Sequence, residues 1–187
     1  VLISISSIIL FTLMGGSIDL LDSYKYLIII CVSLLLFLFF NLTSYSKIFL
    51  GDSGSMTLGF LVSWFLILFS QSEKFVIHPV LTIWCVTIPV FDLIAVFIRR
   101  ISRGINPFIP DRRHVHHLLL ELGFSEVRTL TIILLFSAFL NFIGFFIFIA
   151  LGPMPALISF IICLFVYILL MIFISRYIYR FKNNILY

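Results

Sequence analysis

Three imidazoles crowd into one short stretch of this sequence, Asn106-Pro107-Phe108-Ile109-Pro110-Asp111-Arg112-Arg113-His114-Val115-His116-His117. Guanidinium forks and imidazole donors together suit an anion that offers several oxygens, a diphosphate above all. Two plainer readings stand beside that one. A basic patch at a membrane surface attracts anionic headgroups without forming any pocket. A zinc centre wants four ligands and favours cysteine, yet Cys31, Cys85 and Cys163 all lie inside apolar runs. Pro107 and Pro110 hold the approach extended, and a helix can begin near Asp111 with that residue as its cap. His114 and His117 then share a helical face. Leu118, Leu119 and Leu122 make an apolar stripe that would let residues 114–122 lie in the membrane interface. Gly123 closes that helix, and Ser125 followed by Glu126 opens the next.

A second stretch, Lys47-Ile48-Phe49-Leu50-Gly51-Asp52-Ser53-Gly54-Ser55, sets an aspartate and a serine between two glycines just ahead of an apolar run. Glycine lets the backbone approach a bulky anion, and a helix N-terminus offers free N–H groups to phosphate. Asp52 can hold Mg²⁺, which binds to carboxylates and substrate phosphates together. The plainer alternative is that Asp52, Ser53 or Ser55 caps the helix while the glycines make a turn. One further carboxylate, Asp92, is embedded in an apolar run, about 10 Å along a helix axis from Arg99. An intramembrane acid is either a functional group or one half of a bond to a neighbouring helix. His78, beside Pro79, reads as interfacial.

These residues must be held by elements of one kind. Of the 187 residues, 63% are hydrophobic and 11% charged, where soluble domains carry about 25% charged. Such a composition excludes a soluble domain, a disordered chain and a nucleic-acid module. The apolar residues run continuously rather than alternating, which argues against an outer-membrane barrel. The fold class is all-α, a polytopic membrane helix bundle. Runs near the ~20 residues a crossing helix needs fall at 1–14, 24–42, 55–70, 76–98, 130–151 and 156–174, about six spans in a single domain over residues 1–187. Pro89 should kink the fourth, and Gly152-Pro153-Met154-Pro155 makes a tight connection between the last two. Val1 enters in mid-run without a signal peptide, so the chain reads as the C-terminal part of a longer protein.

Charge sets the sidedness. If the spans alternate, ten of the twelve Lys and Arg fall on one side, around Lys47, residues 99–128 and residues 176–182; only Lys25 and Lys74 fall on the other. The basic side is the cytoplasmic one by the positive-inside rule. It holds both chemistry-bearing stretches and the C-terminus. The net charge of +4 is therefore a topology signal, and no nucleic-acid partner is expected.

Taken together, the strings KIFLGDSGSMTLGF, IPVFDLIAVFIRR and NPFIPDRRHVHHLL resemble the bacterial polyprenyl-phosphate N-acetylhexosamine-1-phosphate transferases, of the MraY/WecA type. The HxHH histidine motif is similar to the branch that takes UDP-N-acetylglucosamine. The resemblance runs from about residue 18 to residue 180. It implies a reaction in which polyprenyl phosphate attacks the β-phosphate of a UDP-sugar and displaces UMP, to start a lipid-linked envelope glycan. It implies Asp52 as a ligand of Mg²⁺ (or Mn²⁺) and Phe49 as a stacking surface for uracil. Gly51 and Ser53 flank the metal position, and Asn41 lies near the nucleotide. His114, His116 and His117, with Arg112 and Arg113, contact the diphosphate or the sugar. Asp92 matches an acidic position counted among the substrate-binding residues. Partners are the UDP-N-acetylhexosamine, the polyprenyl phosphate and the bilayer of a bacterial inner membrane, with room for a homodimer.

Two further motifs of that family, an adjacent acidic pair and an Asp-Gly-rich string, have no counterpart here. Before Asp52 the acidic residues are Asp19 and Asp22, both in the outer loop. The chain is therefore expected to be inactive by itself. Two rival classes remain. A transporter would place its polar residues and broken helices at the bilayer midplane, where only Asp92 and Pro89 qualify. A non-catalytic membrane scaffold would need neither the glycine-flanked aspartate nor the His/Arg cluster.

Overall fold

The computed structural model describes residues 2–14, 21–42, 50–71, 77–102, 104, 106 and 114–185. Among them the only regular elements are helices: α1 Leu2–Met14, α2 Leu21–Leu42, α3 Gly51–Gln71, α4 Pro79–Cys85, α5 Thr87–Ile101, α6 Val115–Glu121, α7 Glu126–Leu151 and α8 Pro153–Ile185. Each of the six expected spans has a helix in its place. Three of these (α3, α7 and the Pro153–Ile178 part of α8) are long and apolar enough to cross a membrane, and a fourth if α4 and α5 count as one broken span. The apolar part of α2, Lys25–Asn41, is shorter, as is α1.

Local sequence explains where helices stop. The interruption expected at Pro89 falls one turn earlier, at Val86, which caps α4 with φ −117° and ψ 27°. Proline has no N–H, so the carbonyl four residues before it, that of Cys85, loses its helical donor, and the ring crowds it as well. Pro79 opens α4 at a position where the missing N–H costs nothing. Gly123 and Gly152 both take positive φ, +91° and +90°, as the ends of α6 and α7 require of a residue without Cβ. Ser125 caps α7 by accepting the Arg128 N–H at 3.4 Å, and Glu126 adds favourable charge to the first turn. Pro153 then starts α8 directly after Gly152, which makes α7 and α8 an antiparallel pair.

Burial is arranged for lipid rather than water. Along α7 the exposed residues include Leu135, Phe139, Phe142, Phe146 and Ile149, while Ser137, Asn141 and Gly144 are buried. Soluble monomers rarely present so continuous an apolar face. Small and polar side chains against a neighbouring helix are the pattern of packing inside a bilayer. The Asn141 amide donates to the Ser137 carbonyl at 2.9 Å.

The chain divides into two compact units, Val1–Val86 and Thr87–Tyr187. In the first, α1 packs on α2, α3 and α4 around Ile5, Ile8, Leu27, Phe69, Leu81 and Trp84. In the second, α8 packs on α5, α6 and α7; Phe91, Leu118, Phe160, Tyr167 and Met171 are buried there. Phe91 sits at its centre, 5.0 Å from the ring of Phe160 and 5.6 Å from that of Tyr167.

Candidate functional site

In the first unit the glycine-flanked string is helix, not loop. The third span was expected from residue 55, but α3 begins at Gly51, whose φ of +68° is a conformation that L side chains rarely adopt. Left-handed backbone there lets the chain turn directly into the helix. Asp52 lies in the first turn with its side chain exposed, where a negative charge is favoured by the helix dipole. Ser55 does not cap: its hydroxyl donates back to the Asp52 carbonyl, as that of Thr57 does to the Ser53 carbonyl, each at 2.8 Å. Gly54 has Leu50 folded over it, so a Cβ there would meet Leu50 Cγ at 2.8 Å. Asn41 lies in the last turn of α2 with a half-buried side chain.

In the second unit Asp92, on α5, receives three bonds from the chain itself. The His114 Nδ1 lies 2.9 Å from Oδ2, the Val115 N–H donates to Oδ1 at 3.0 Å, and the Tyr167 hydroxyl donates to Oδ1 at 3.3 Å. Val115 is the first residue of α6, so Asp92 supplies from another helix the acceptor that an N-terminal N–H lacks. The expected start near Asp111 is thereby corrected: α6 begins at Val115 with His114 as N-cap, whose own side chain makes no capping bond. Asp111 itself lies outside the described residues. Of the expected apolar stripe, Leu118 is buried and Leu122, which caps the end of α6, is exposed.

Exposure separates the partners. The Asp92 side chain is 13% exposed and that of His114 is 38% exposed, so the imidazole can be reached by a solute and the carboxylate scarcely can. A carboxylate only accepts, so the proton of their bond belongs to Nδ1, and Nε2 is the ring atom left for a ligand. His116 stacks on His114 with centroids 5.9 Å apart and planes 4° from parallel, and lies 4.1 Å from His117. Partial burial, then the like charges of His117 and His114, hold the His116 imidazole below the usual histidine range, with Asp92 opposing. At the end of α5, Arg99 and Arg100 are buried, and Arg100 donates from Nη1 to the Asn106 carbonyl at 3.3 Å. Beneath α6 an apolar cavity of about 200 Å³ is lined by Val115, Leu118, Ile133, Phe136, Tyr167 and Met171, among others.

Of the residues expected from sequence, Gly51, Asp52 and Ser53 come together at the start of α3, and Asp92 and His114 come together with His116 and His117 beside them. Phe49, Arg112 and Arg113 lie outside the described residues. Sequence reasoning missed Tyr167. Its signal was a phenol inside an otherwise apolar span, since a buried tyrosine hydroxyl usually finds a partner. Among the described residues no three His, Cys, Asp or Glu are grouped so as to hold a metal ion by themselves.

Residues 1–70 match the family described as Glycosyl transferase family 4. Over 98 residues the chain is 41% identical to the undecaprenyl-phosphate alpha-N-acetylglucosaminyl 1-phosphate transferases of Yersinia pestis and of Escherichia coli K12, covering 52% of this chain and 27% of each relative. The protein of that name in Haemophilus influenzae is 39% identical over the same length. The matched stretch thus spans little more than a quarter of those relatives. No solved structure matches the chain.

Proposed function

We propose, on the premise that residues 1–70 are a segment of glycosyl transferase family 4, that this chain is the membrane-embedded part of an enzyme making a lipid-linked sugar diphosphate. The reaction is transfer of N-acetylglucosamine 1-phosphate from a UDP-sugar to a polyprenyl phosphate such as undecaprenyl phosphate. A phosphate oxygen of the lipid forms a bond to the β-phosphorus, and the bond from that phosphorus to the bridging oxygen breaks, with UMP leaving. The observation that carries this reading is the family match across the segment holding Asp52, joined to relatives whose names specify that transfer.

Physical chemistry supports the assignment of roles. Bringing two phosphate anions together requires positive charge and fixed donors more than covalent help. His114, His116 and His117, with Arg112 and Arg113, serve the phosphates and the sugar. Phe49 stacks on the uracil, and Asn41, Gly51 and Ser53 complete the nucleotide end. Asp52 offers one exposed carboxylate, which fits Mg²⁺ or Mn²⁺ because such ions take one or two carboxylates and draw their other ligands from phosphates and water. Bound there, the ion would neutralise phosphate charge. The basic loops face the cytoplasm of a bacterial inner membrane, where nucleotide sugars and the lipid headgroup both reach them.

The test is transfer of labelled sugar phosphate from UDP-N-acetylglucosamine to undecaprenyl phosphate by the full-length protein, alone and as Asp52→Asn. The substitution should lower transfer about a hundredfold or more, as loss of a transition-state electrostatic contact does, while the protein still inserts and folds. Full-length wild-type protein that makes no product, or an Asp52→Asn protein as active as wild type, would return the case to a scaffold or transporter.

A further inference from the structure

We infer that Asp92 and Tyr167 are positioning residues for His114: they fix the proton on its Nδ1 and so present the lone pair of Nε2 to the ligand. The inference rests on the transfer reading only for its kinetic arm. Three observations carry it. Both oxygens of Asp92 are occupied by groups of the chain, Oδ2 by His114 and Oδ1 by Val115 and Tyr167, so the carboxylate is spent on holding rather than on binding. Its low exposure beside the more open imidazole gives the same order of access, solute to His114 and His114 to Asp92. Tyr167 is 5% exposed and seated against Phe91, the residue next to Asp92, so its hydroxyl ties α8 to the carboxylate that α5 presents.

An acceptor on one imidazole nitrogen determines what the other nitrogen can do, and this outer contact commonly matters as much as the ligand contact itself. Among the described residues, the titratable groups that face Asp92 include His114, His116 and Tyr167. The Tyr167 hydroxyl is turned to Oδ1, and Oδ2 of Asp92 is the acceptor that Nδ1 meets. In neutral His114 the lone pair therefore falls on Nε2, where it accepts a hydrogen bond or a proton from a phosphate hydroxyl. Charged His114 donates from both nitrogens.

Asp92→Asn separates holding from folding. Its amide oxygen still accepts the Val115 N–H and keeps the start of α6, but its NH₂ faces Nδ1 and can only donate. The His114 proton must then move to Nε2. In the full-length protein with ¹⁵N-labelled histidine, assigned by loss of the signal in His114→Gln, wild type should show Nδ1 protonated and Asp92→Asn should show the reverse. Transfer by Asp92→Asn should fall about 10- to 100-fold in kcat, with KM for the UDP-sugar changed little. Tyr167→Phe keeps the tautomer and loses one bond, so its kcat should fall about three- to tenfold. An Asp92→Asn protein with Nδ1 still protonated, or with kcat within about twofold of wild type, would overturn the assignment. If wild type makes no product, the transfer reading fails, and the tautomer reversal alone decides this one.

Discussion

His116 stands between two rings of its own kind, and that position makes its charge expensive. Partial burial and the neighbouring His117 and His114 lower its pKa, with Asp92 opposing. In the unfolded chain a histidine takes its proton near pH ~6.5; in the folded chain His116 takes it at lower pH. Between those values the unfolded state binds more protons, so stability rises with pH through that window and is lost as pH falls. Amide protection along α6, measured by hydrogen exchange and corrected for intrinsic rates, should be flat above the usual histidine range and decline below it. His116→Gln should remove part of that decline; an unchanged pH profile would show that neither burial nor the neighbouring rings penalise its charge. At this scale the residue types were legible in the sequence. Asp52, Asp92 and the histidines stand out because charge and imidazole are rare among apolar neighbours. What each side chain touches was not legible. Asp111 looked like the cap of α6 because aspartate favours that position, whereas the acceptor at Val115 comes from Asp92, 23 residues earlier.

At the scale of elements, three helix ends with a local cause were readable. Gly123, Gly152-Pro153 and Ser125-Glu126 act through backbone conformation or one short bond, and all three fall where sequence puts them. The start of α3 was misplaced because residues 51–54 are small and polar and look like loop, although Gly51, with positive φ, is already the first residue of the helix. Tyr167 could not be paired from sequence, since its partner is 75 residues away and the bond exists only once α8 lies on α5. That packing runs through Phe91, 1% exposed between Phe160 and Tyr167. Phe91→Ala would leave a cavity among helices already close-packed, a change costing on the order of 3 kcal/mol in protein cores. Thermal unfolding in detergent should therefore show Phe91→Ala well below Tyr167→Phe, and its transfer activity should be the lower of the two. Equal stability of the two variants would mean that the aromatic cluster does not hold α8 to α5.

For the whole molecule, the membrane accounts for what water cannot: apolar side chains outside, and small or polar ones between helices. The helix α7 has 26 residues, about 39 Å of rise against a hydrocarbon core of ~30 Å, so its two ends belong to opposite surfaces. The charge count then makes a claim that can be measured on that one helix. Phe124, ahead of α7, and Met154, just past its end, are both exposed. With the three native cysteines replaced, Phe124→Cys should react with a membrane-impermeant maleimide only after the cells are opened. Met154→Cys should react in intact spheroplasts. The reverse pattern would put the histidine cluster on the outer face, away from any cytoplasmic nucleotide sugar. The transfer reading would fall with it, however closely the sequence matches its relatives, because a reaction needs its soluble substrate on the same side as its site.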